Sequence, residues 1–439
     1  MPEQAVSQFL DAHLHPGVRR LVVACSGGLD SMALLDVVAA KAHLNRYSLH
    51  VVHVHHGLSR FADDWAELVQ LASARHQASF CKLSVRVGDA GSLEEAAREA
   101  RYRAIAGELK EGDVLLTAHH RNDQAETVLL RLLRGSGVRG LSGMHPVSDL
   151  PFSEGRFPLW RPLLTVGRSQ LELYARSRGL VWVDDASNQD IRHDRNALRH
   201  GIIPELETRW PQAVPVLALT AQRMQEADSL LNDLAILDLQ PLLRENFTLC
   251  ISGLQTLSRT RQINLLRFWL LSQGLTAPDR PGLHRIMDEV CAARCDGTPE
   301  FNWRLAEVRR YRDQLYAMKP LPEADNSFRV VWQDRESPLV LPSGRTLSPV
   351  CGGGTGIRLS LWRQAGVVEV RFRQGGERLR IDGSGHHKAL KNLFQEAGTP
   401  SWQRPLWPLI YVDGVLAMVP GIGFNADFAA NGEPALLIT

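Results

Sequence analysis

Three stretches of different character predict an α/β N-terminal domain with a mainly parallel sheet, then an α-helical middle domain, then a small α+β C-terminal domain. Residues 1–210 alternate short apolar runs with helical spacings, the pattern of strand–helix–strand units. Residues 211–325 carry long helical periodicity, and residues 340–439 return to period-two alternation rich in basic and aromatic side chains. A chain of 439 residues is too long for one ordinary domain, so two or three are expected.

The first domain opens with a short amphipathic helix inside residues 1–20, with Val6, Phe9, Leu10 and Leu14 on one side. Leu21 to Cys25 is a short apolar run, as for a strand covered on both faces. Ser26-Gly27-Gly28-Leu29-Asp30-Ser31 follows, and Ala33 to Val38 continues with helical spacing. The two glycines let backbone amides converge on an anion, and a helix N-terminus favours phosphate. Ser26 and Ser31 add hydroxyl donors. Asp30 sets a carboxylate beside the phosphates, which fits Mg2+ bridging them and makes Asp30 the candidate metal ligand. The stretch lacks both the Lys of the G-x-x-x-x-G-K-[ST] loop and the G-x-G-x-x-G pattern. It resembles instead the pyrophosphate-binding loop of enzymes that split ATP into AMP and pyrophosphate. A turn with a capping serine is the plainer alternative.

Ser48 to Val54 reads as a second strand ending in His55-His56-Gly57-Leu58. Ligands gather beyond strand carboxyl ends in open α/β sheets, so this end is a candidate adenosine pocket and His55 a candidate ATP contact. Ordinary rim histidines are the alternative. A helix over 62–78 and a strand from Cys81 to Val87 come next. Ser92-Leu93-Glu94-Glu95 forms a capping box and opens a helix carrying Arg98, Arg101 and Arg103. Arg98 and Arg101 share a face and suit phosphate or RNA, unless they are simply solvated.

Val114 to Ala118 is the fourth strand, and His119-His120-Arg121-Asn122-Asp123-Gln124-Ala125-Glu126-Thr127 follows. Asp123 and Glu126 lie three apart, so one helical face presents both. Capping the first turn explains them in part; receiving a cation, Mg2+ or a substrate ammonium, is the sharper reading. Val128, Leu129, Leu132 and Leu133 supply the apolar face, and Gly135-Ser136-Gly137 ends the helix.

Ser-Gly-Gly-x-Asp-Ser, His-Val-His-His-Gly-Leu, His-His-x-x-Asp-Gln-Ala-Glu-Thr and Leu-Arg-Gly-Ser-Gly together resemble the tRNA(Ile)-lysidine synthetases, members of the Rossmann-like PP-loop ATP pyrophosphatases. Two departures stand out: the family often has Asn where His55 stands, and usually Asp where Asn122 stands. The second removes one possible metal ligand but leaves Asp123 and Glu126 intact.

Pro158 to Leu164 fits an ordered turn before a helix from Ser169 to Arg178, and Val181-Trp182-Val183 reads as a fifth strand. Asp184-Asp185-Ala186-Ser187-Asn188 and Arg195-Asn196-Ala197-Leu198-Arg199 match the family again. Arg195 and Arg199 are four apart and could steady an ATP phosphate or RNA; salt bridges to Asp190 and Asp194 are the alternative. In the middle domain the apolar spacing runs from Val214 through Leu237 and from Ile263 to Leu271. Cys291 and Cys295 read as buried small hydrophobes, and Arg309-Arg310-Tyr311-Arg312 as a basic stretch meeting RNA or solvent. A Gly352-Gly353-Gly354 cluster marks the last boundary. Val367 to Arg373 alternates as a strand, Gln374 to Leu379 turns into another, and Lys388 to Phe394 is helical. Eight basic and three acidic residues, Asp382 among the latter, lie between Arg358 and Lys391, suiting RNA.

Net charge is only +2, so global charge says little about partners. Just six of the 50 basic residues are Lys; Arg suits phosphate and bases, although a high-GC genome gives the same bias. No apolar run reaches the roughly 18 residues of a membrane span, and no signal peptide is apparent. Six Cys without a C-x-x-C pair suit a reducing cytoplasm and argue against structural zinc.

The resemblance covers nearly the whole chain and implies a concrete reaction. ATP activates the 2-carbonyl of the wobble cytidine of tRNA(Ile) with a CAU anticodon, pyrophosphate leaves, and the ε-amine of free L-lysine displaces AMP. It implies ATP contacts from Ser26, Gly27, Gly28, Leu29, Asp30, Ser31 and His55, and lysine held by Asp123 and Glu126. Catalytic roles fall on Asp30, Asp123, Glu126, Arg98 and Arg195. Contacts to tRNA fall on Arg101, Arg199, Arg371, Arg373, Arg378, Arg380, Lys388 and Lys391. No membrane partner is expected, and monomer or homodimer stays open. A tRNA 2-thiolation enzyme, a glutamine-dependent amidating enzyme and a non-catalytic nucleotide-sensing RNA-binding protein are the competing readings.

Overall fold

The structure, a computed structural model, describes all residues except 46, 58–60, 86–92, 186–188, 295–296, 353–354 and 382–386. Leu58, Val87, the capping box at Ser92-Leu93-Glu94-Glu95, Ala186-Ser187-Asn188, Cys295, Gly353-Gly354 and Asp382 therefore lie outside the described side chains. The chain forms two compact units, Met1–Leu231 and Asn232–Thr439.

In the first unit, α1 (Pro2–His13) leads to β1 (Arg20–Ala24), α2 (Leu29–Asn45), β2 (Ser48–His55), α3 (Ala62–Arg75), β3 (Ser79–Ser84), α4 (Leu93–Glu108) and β4 (Asp113–Leu116). Then come α5 (Arg121–Leu133), α6 (Val138–Leu141), β5 (Val147–Asp149), β6 (Pro158–Trp160) and α7 (Arg168–Ser177). The sheet order is β3-β2-β1-β4-β6-β5, with every neighbouring pair parallel except β5 and β6. Alternation along β1 explains why helices cover both faces. Leu21 and Val23 enter the core shared with α1, α2 and α7, whereas Val22 faces Tyr102 and Ile105 of α4.

The fifth parallel strand is β6, not residues 181–183. The latter run extended without strand pairing, and Val181 is 57% exposed. Pro158–Trp160 instead extends the sheet beside β4, and its Leu159 and Trp160 are buried. Leu132 and Leu133, expected on the apolar face of α5, are exposed, while Val128 is buried. After α7 the chain forms α8 (Asp194–Ala197), a wider π-type turn at Leu198–Ile202, α9 (Ile203–Arg209) and α10 (Ala213–Leu239).

The second unit begins helically, with β7 (Leu249–Cys250), α11 (Ile251–Thr256), α12 (Arg259–Ser272) and α13 (Arg280–Arg285). The segment 300–318 then folds as three antiparallel strands that extend β7, so Arg309-Arg310-Tyr311-Arg312 is largely strand, not helix. Ala306, Val308 and Arg310 share one buried face, and Glu307 is buried as well. A five-stranded antiparallel sheet follows, formed by Arg329–Val331, Val368–Arg371, Leu409–Val412, Val415–Val419 and Gly423–Phe424. Among the described residues no helix is long and apolar enough to cross a membrane.

Candidate active site

The glycine loop joins β1 to α2 at the carboxyl edge of the sheet. Gly27 sits at φ +90°, and a β-carbon there would stand 3.3 Å from Val183 and 3.4 Å from Val69. Its carbonyl accepts the Val183 N–H at 3.0 Å, so the segment whose pattern predicts a strand braces the loop instead. The Ser31 hydroxyl donates to the Gly28 carbonyl at 2.9 Å and accepts the Ser26 N–H at 3.2 Å. The two serine hydroxyls lie 3.2 Å apart. Leu29 is buried as α2 begins, and Asp30 occupies the first turn. Its Oδ1 is buried and hydrogen-bonds to nothing among the described residues.

The acid pair stands on α5, whose N-cap is His120. Neutral, the His120 ring accepts the Asp123 N–H on Nδ1 at 3.3 Å, and Asp123 Oδ2 accepts the His120 N–H at 2.9 Å. Capping is thus real for Asp123. On its other side, His120 Nε2 lies 3.6 Å from Asp30 Oδ2, so one imidazole stands between the loop and the acid pair. Asp123 and Glu126 are both buried, and two arginines clamp them. Arg195 donates from Nε to Glu126 at 2.7 Å and from Nη2 to Asp123 at 3.0 Å. Arg199 donates to Glu126 at 2.7 and 3.0 Å and to Asp123 at 3.0 Å.

Burial alone would raise the Asp123 carboxyl, but His120, Arg195, His119 and the His120 N–H hold it down to about 2. Burial opposes charge on His120, yet the nearby carboxylates of Asp30, Asp123 and Glu126 outweigh it and raise its pKa. His119 behaves oppositely: burial, then Arg161, Arg195 and Arg98, bring it to about 3 against the pull of Asp123. Its Nδ1 rests 2.9 Å from the Thr117 hydroxyl.

The structure therefore gathers Ser26 through Ser31, Asp30, Asp123, Glu126, Arg195 and Arg199 into one connected constellation. Arg195 and Arg199 turn to the acid pair, while Arg192 pairs with Asp190 at 2.6 Å and Arg134 faces Asp194 at 3.5 Å. Asn122 accepts the Arg168 N–H at 3.1 Å and so caps α7. A cavity of about 120 Å³ opens between Asn122, Glu126, Arg168, Arg199 and Glu207. His55 ends β2 with Nε2 3.4 Å from Asp63, and Arg101 lies 3.3 Å from His56. Burial, then Arg101, lowers His56 to about 4. Arg98 is exposed and stacks over Tyr102 at 4.9 Å.

In the second unit, most of the expected RNA contacts already hold internal partners. Arg371 pairs with Glu369 and covers Tyr411; Arg373 faces Glu377 at 3.5 Å; Arg378 donates to the His387 carbonyl. Arg380 pairs with Asp427, Lys388 faces Glu396 at 3.3 Å, and Lys391 is exposed. His120 joins this constellation although the sequence reading gave it no role. Its signal was its place directly before the helix that carries both acids.

Residues 2–206 match the PP-loop domain family, 249–316 the TilS substrate binding domain and 368–438 the TilS substrate C-terminal domain. A tRNA(Ile)-lysidine synthase of Methylococcus capsulatus is 40% identical over 429 residues, 96% of each chain. One of Pectobacterium atrosepticum is 39% identical over 407 residues, 92% of this chain and 90% of that one. A crystal structure of a TilS C-terminal domain is 28% identical, covering 24% of this chain and 88% of that one at a TM-score of 0.21.

Proposed function

The chain belongs to the tRNA(Ile)-lysidine synthase family, and from that premise we propose that it joins free L-lysine to carbon 2 of the wobble cytidine in tRNA(Ile) with a CAU anticodon. Residues 1–210 do the chemistry; residues 211–325 and 340–439 contact the tRNA. The observation that carries this reading is His120, which sets the loop's Asp30 and the buried acid pair on opposite sides of one imidazole.

In the first step the cytosine O2 attacks the α-phosphorus of ATP and pyrophosphate leaves. The amides of Gly27 and Gly28, the serine hydroxyls and the start of α2 hold the charge that builds on the leaving group. The Asp30 oxygen that has no hydrogen bond among the described residues fits Mg2+, which typically takes one or two carboxylates and draws its other ligands from phosphates and water. Bound there, Mg2+ would neutralise charge on the departing pyrophosphate. In the second step the lysine ε-nitrogen bonds to carbon 2, and AMP leaves with the former O2.

The nucleophile arrives as an ammonium and attacks as an amine. Asp123, held down to about 2, stays ionised and serves as its charge partner. Glu126, one turn on, is the proposed proton acceptor. Both acids are held by Arg195 and Arg199 in this structure, so the ammonium enters by exchange for a guanidinium, which turns to phosphate. Sulfur transfer finds no support at Cys25, which is buried under the loop with its thiol pushed up by burial. ATP–pyrophosphate exchange tests the reading. It is expected with tRNA(Ile) and absent without it; a protein that binds both yet never exchanges is a non-catalytic sensor.

A further inference from the structure

Two arginines outside the acid clamp hold one loop between them. Arg131 Nη1 donates to the carbonyls of Gly140 and Gly143 at 2.7 and 2.9 Å. Arg161 Nη1 donates to the His145 carbonyl at 2.8 Å and the Ser148 hydroxyl at 3.0 Å. Arg161 directly follows β6, at the carboxyl edge of the parallel sheet where ligands gather. Arg131 lies on α5, the helix of Asp123 and Glu126.

Arg161 is 7% exposed, and its buried Nε hydrogen-bonds to nothing among the described residues. No described carboxylate forms an ion pair with Arg161, Arg131 or Arg98; the contacts of the first two are to carbonyls and a hydroxyl, and Arg98 lies on Tyr102. Buried charge is ordinarily paired. Burial depresses both Arg131 and Arg161; Arg98 adds to it at each, and at Arg161 Arg131 also adds to it while Tyr102 opposes it. Asp228 acts on His145, which also feels Arg161, Arg131 and Arg139. Arg98 and Arg161 both act on His119, next to the imidazole at the centre of the site.

We propose that Arg131 and Arg161 form a phosphate-binding site separate from the glycine loop, which takes one phosphodiester of the RNA beside the target base. The identity of the RNA rests on the function proposed above. The glycine loop already offers amides and hydroxyls to the nucleotide, whereas this pair offers planar guanidiniums that suit phosphate oxygens. A bound diester supplies the missing negative charge and accepts the orphaned N–H.

Filter binding of the full chain to a tRNA(Ile) transcript with a CAU anticodon, from about 50 to 200 mM salt, tests this. Arg131→Gln and Arg161→Gln should each lower the slope of log affinity against log salt by about 0.7–0.9, one phosphate contact. Arg161→Lys should restore the slope, and ATP affinity should stay within about twofold. Thermal melting checks that each variant folds; if Arg161→Gln does not, Arg131→Gln carries the test. Weaker ATP binding with an unchanged RNA slope overturns the RNA assignment and gives the site to nucleotide phosphate. Unchanged slope and unchanged ATP affinity overturn the site itself. A failed lysidine reading appears separately, as wild-type protein that binds tRNA and incorporates no lysine.

Discussion

Replacing Glu126 by Gln isolates the clamp that organises the site. Glu126 is 1% exposed and accepts three hydrogen bonds, two from Arg199 and one from Arg195. The amide keeps the shape but loses the charge, and it turns an NH2 toward a guanidinium. Breaking a buried ion pair costs about 3–5 kcal/mol. The arginine side chains are 27% and 24% exposed and Asp123 still faces both, so the expected cost is smaller, about 2–3 kcal/mol. In a unit the size of Met1–Leu231, about 1 kcal/mol moves Tm by roughly 2–4 °C, so a drop of about 5–10 °C is expected. Calorimetry at pH 7 reads it. Combining Glu126→Gln with Arg199→Gln should show a coupling of about 1–3 kcal/mol. A drop below about 1 °C, or additive losses, would refute the clamp as a stabilising unit.

Further outcomes follow from neighbouring residues. The raised His120 pKa means that its charge stabilises the fold below its ordinary 6.5 and that this is lost as pH climbs through the raised value. The Asp123 contribution is present above its ordinary 3.8 and is lost as pH falls through about 2. Melting should therefore be higher at about pH 5.5 than at about pH 8.5, and His120→Gln should flatten that difference. Gly27→Ala places a β-carbon at φ +90° against Val183, and should cost about 1–3 kcal/mol and weaken ATP binding; titration calorimetry showing unchanged ATP affinity contradicts the loop's role. Asn122→Asp keeps the acceptor for the Arg168 N–H and adds charge at the start of α7, so stability should rise by about 0.3–1 kcal/mol in denaturant titrations, and a loss contradicts the cap.

Four parallel strands and the glycine loop were legible because each couples an apolar run to a glycine or a polar strand end. β6 was not legible, since three residues beginning with Pro carry almost no periodic signal. Residues 181–183 carried more, and yet only brace the loop. In 300–318 the buried Arg310 interrupted an alternation that otherwise spells a strand; it is held there by the carbonyls of Cys291 and Ala293. The acid pair was visible from local spacing alone. Its clamp was not, because Arg195 and Arg199 reach past nearby Asp190 and Asp194 to partners 69 to 76 residues away. The link from His120 to Asp30 is equally remote along the chain and depends on β1 and β4 being neighbours.

One site in the first unit is expected to hold both a triphosphate and an amine beside a docked anticodon. Incubating the full chain with ATP, Mg2+ and labelled L-lysine tests it most directly, with tRNA(Ile) bearing CAU and elongator tRNA(Met) as control. Label should enter the tRNA(Ile) alone, and Asp123→Asn should abolish it while ATP still binds. Label entering both tRNAs, neither, or the Asp123→Asn reaction at the wild-type rate would contradict the account.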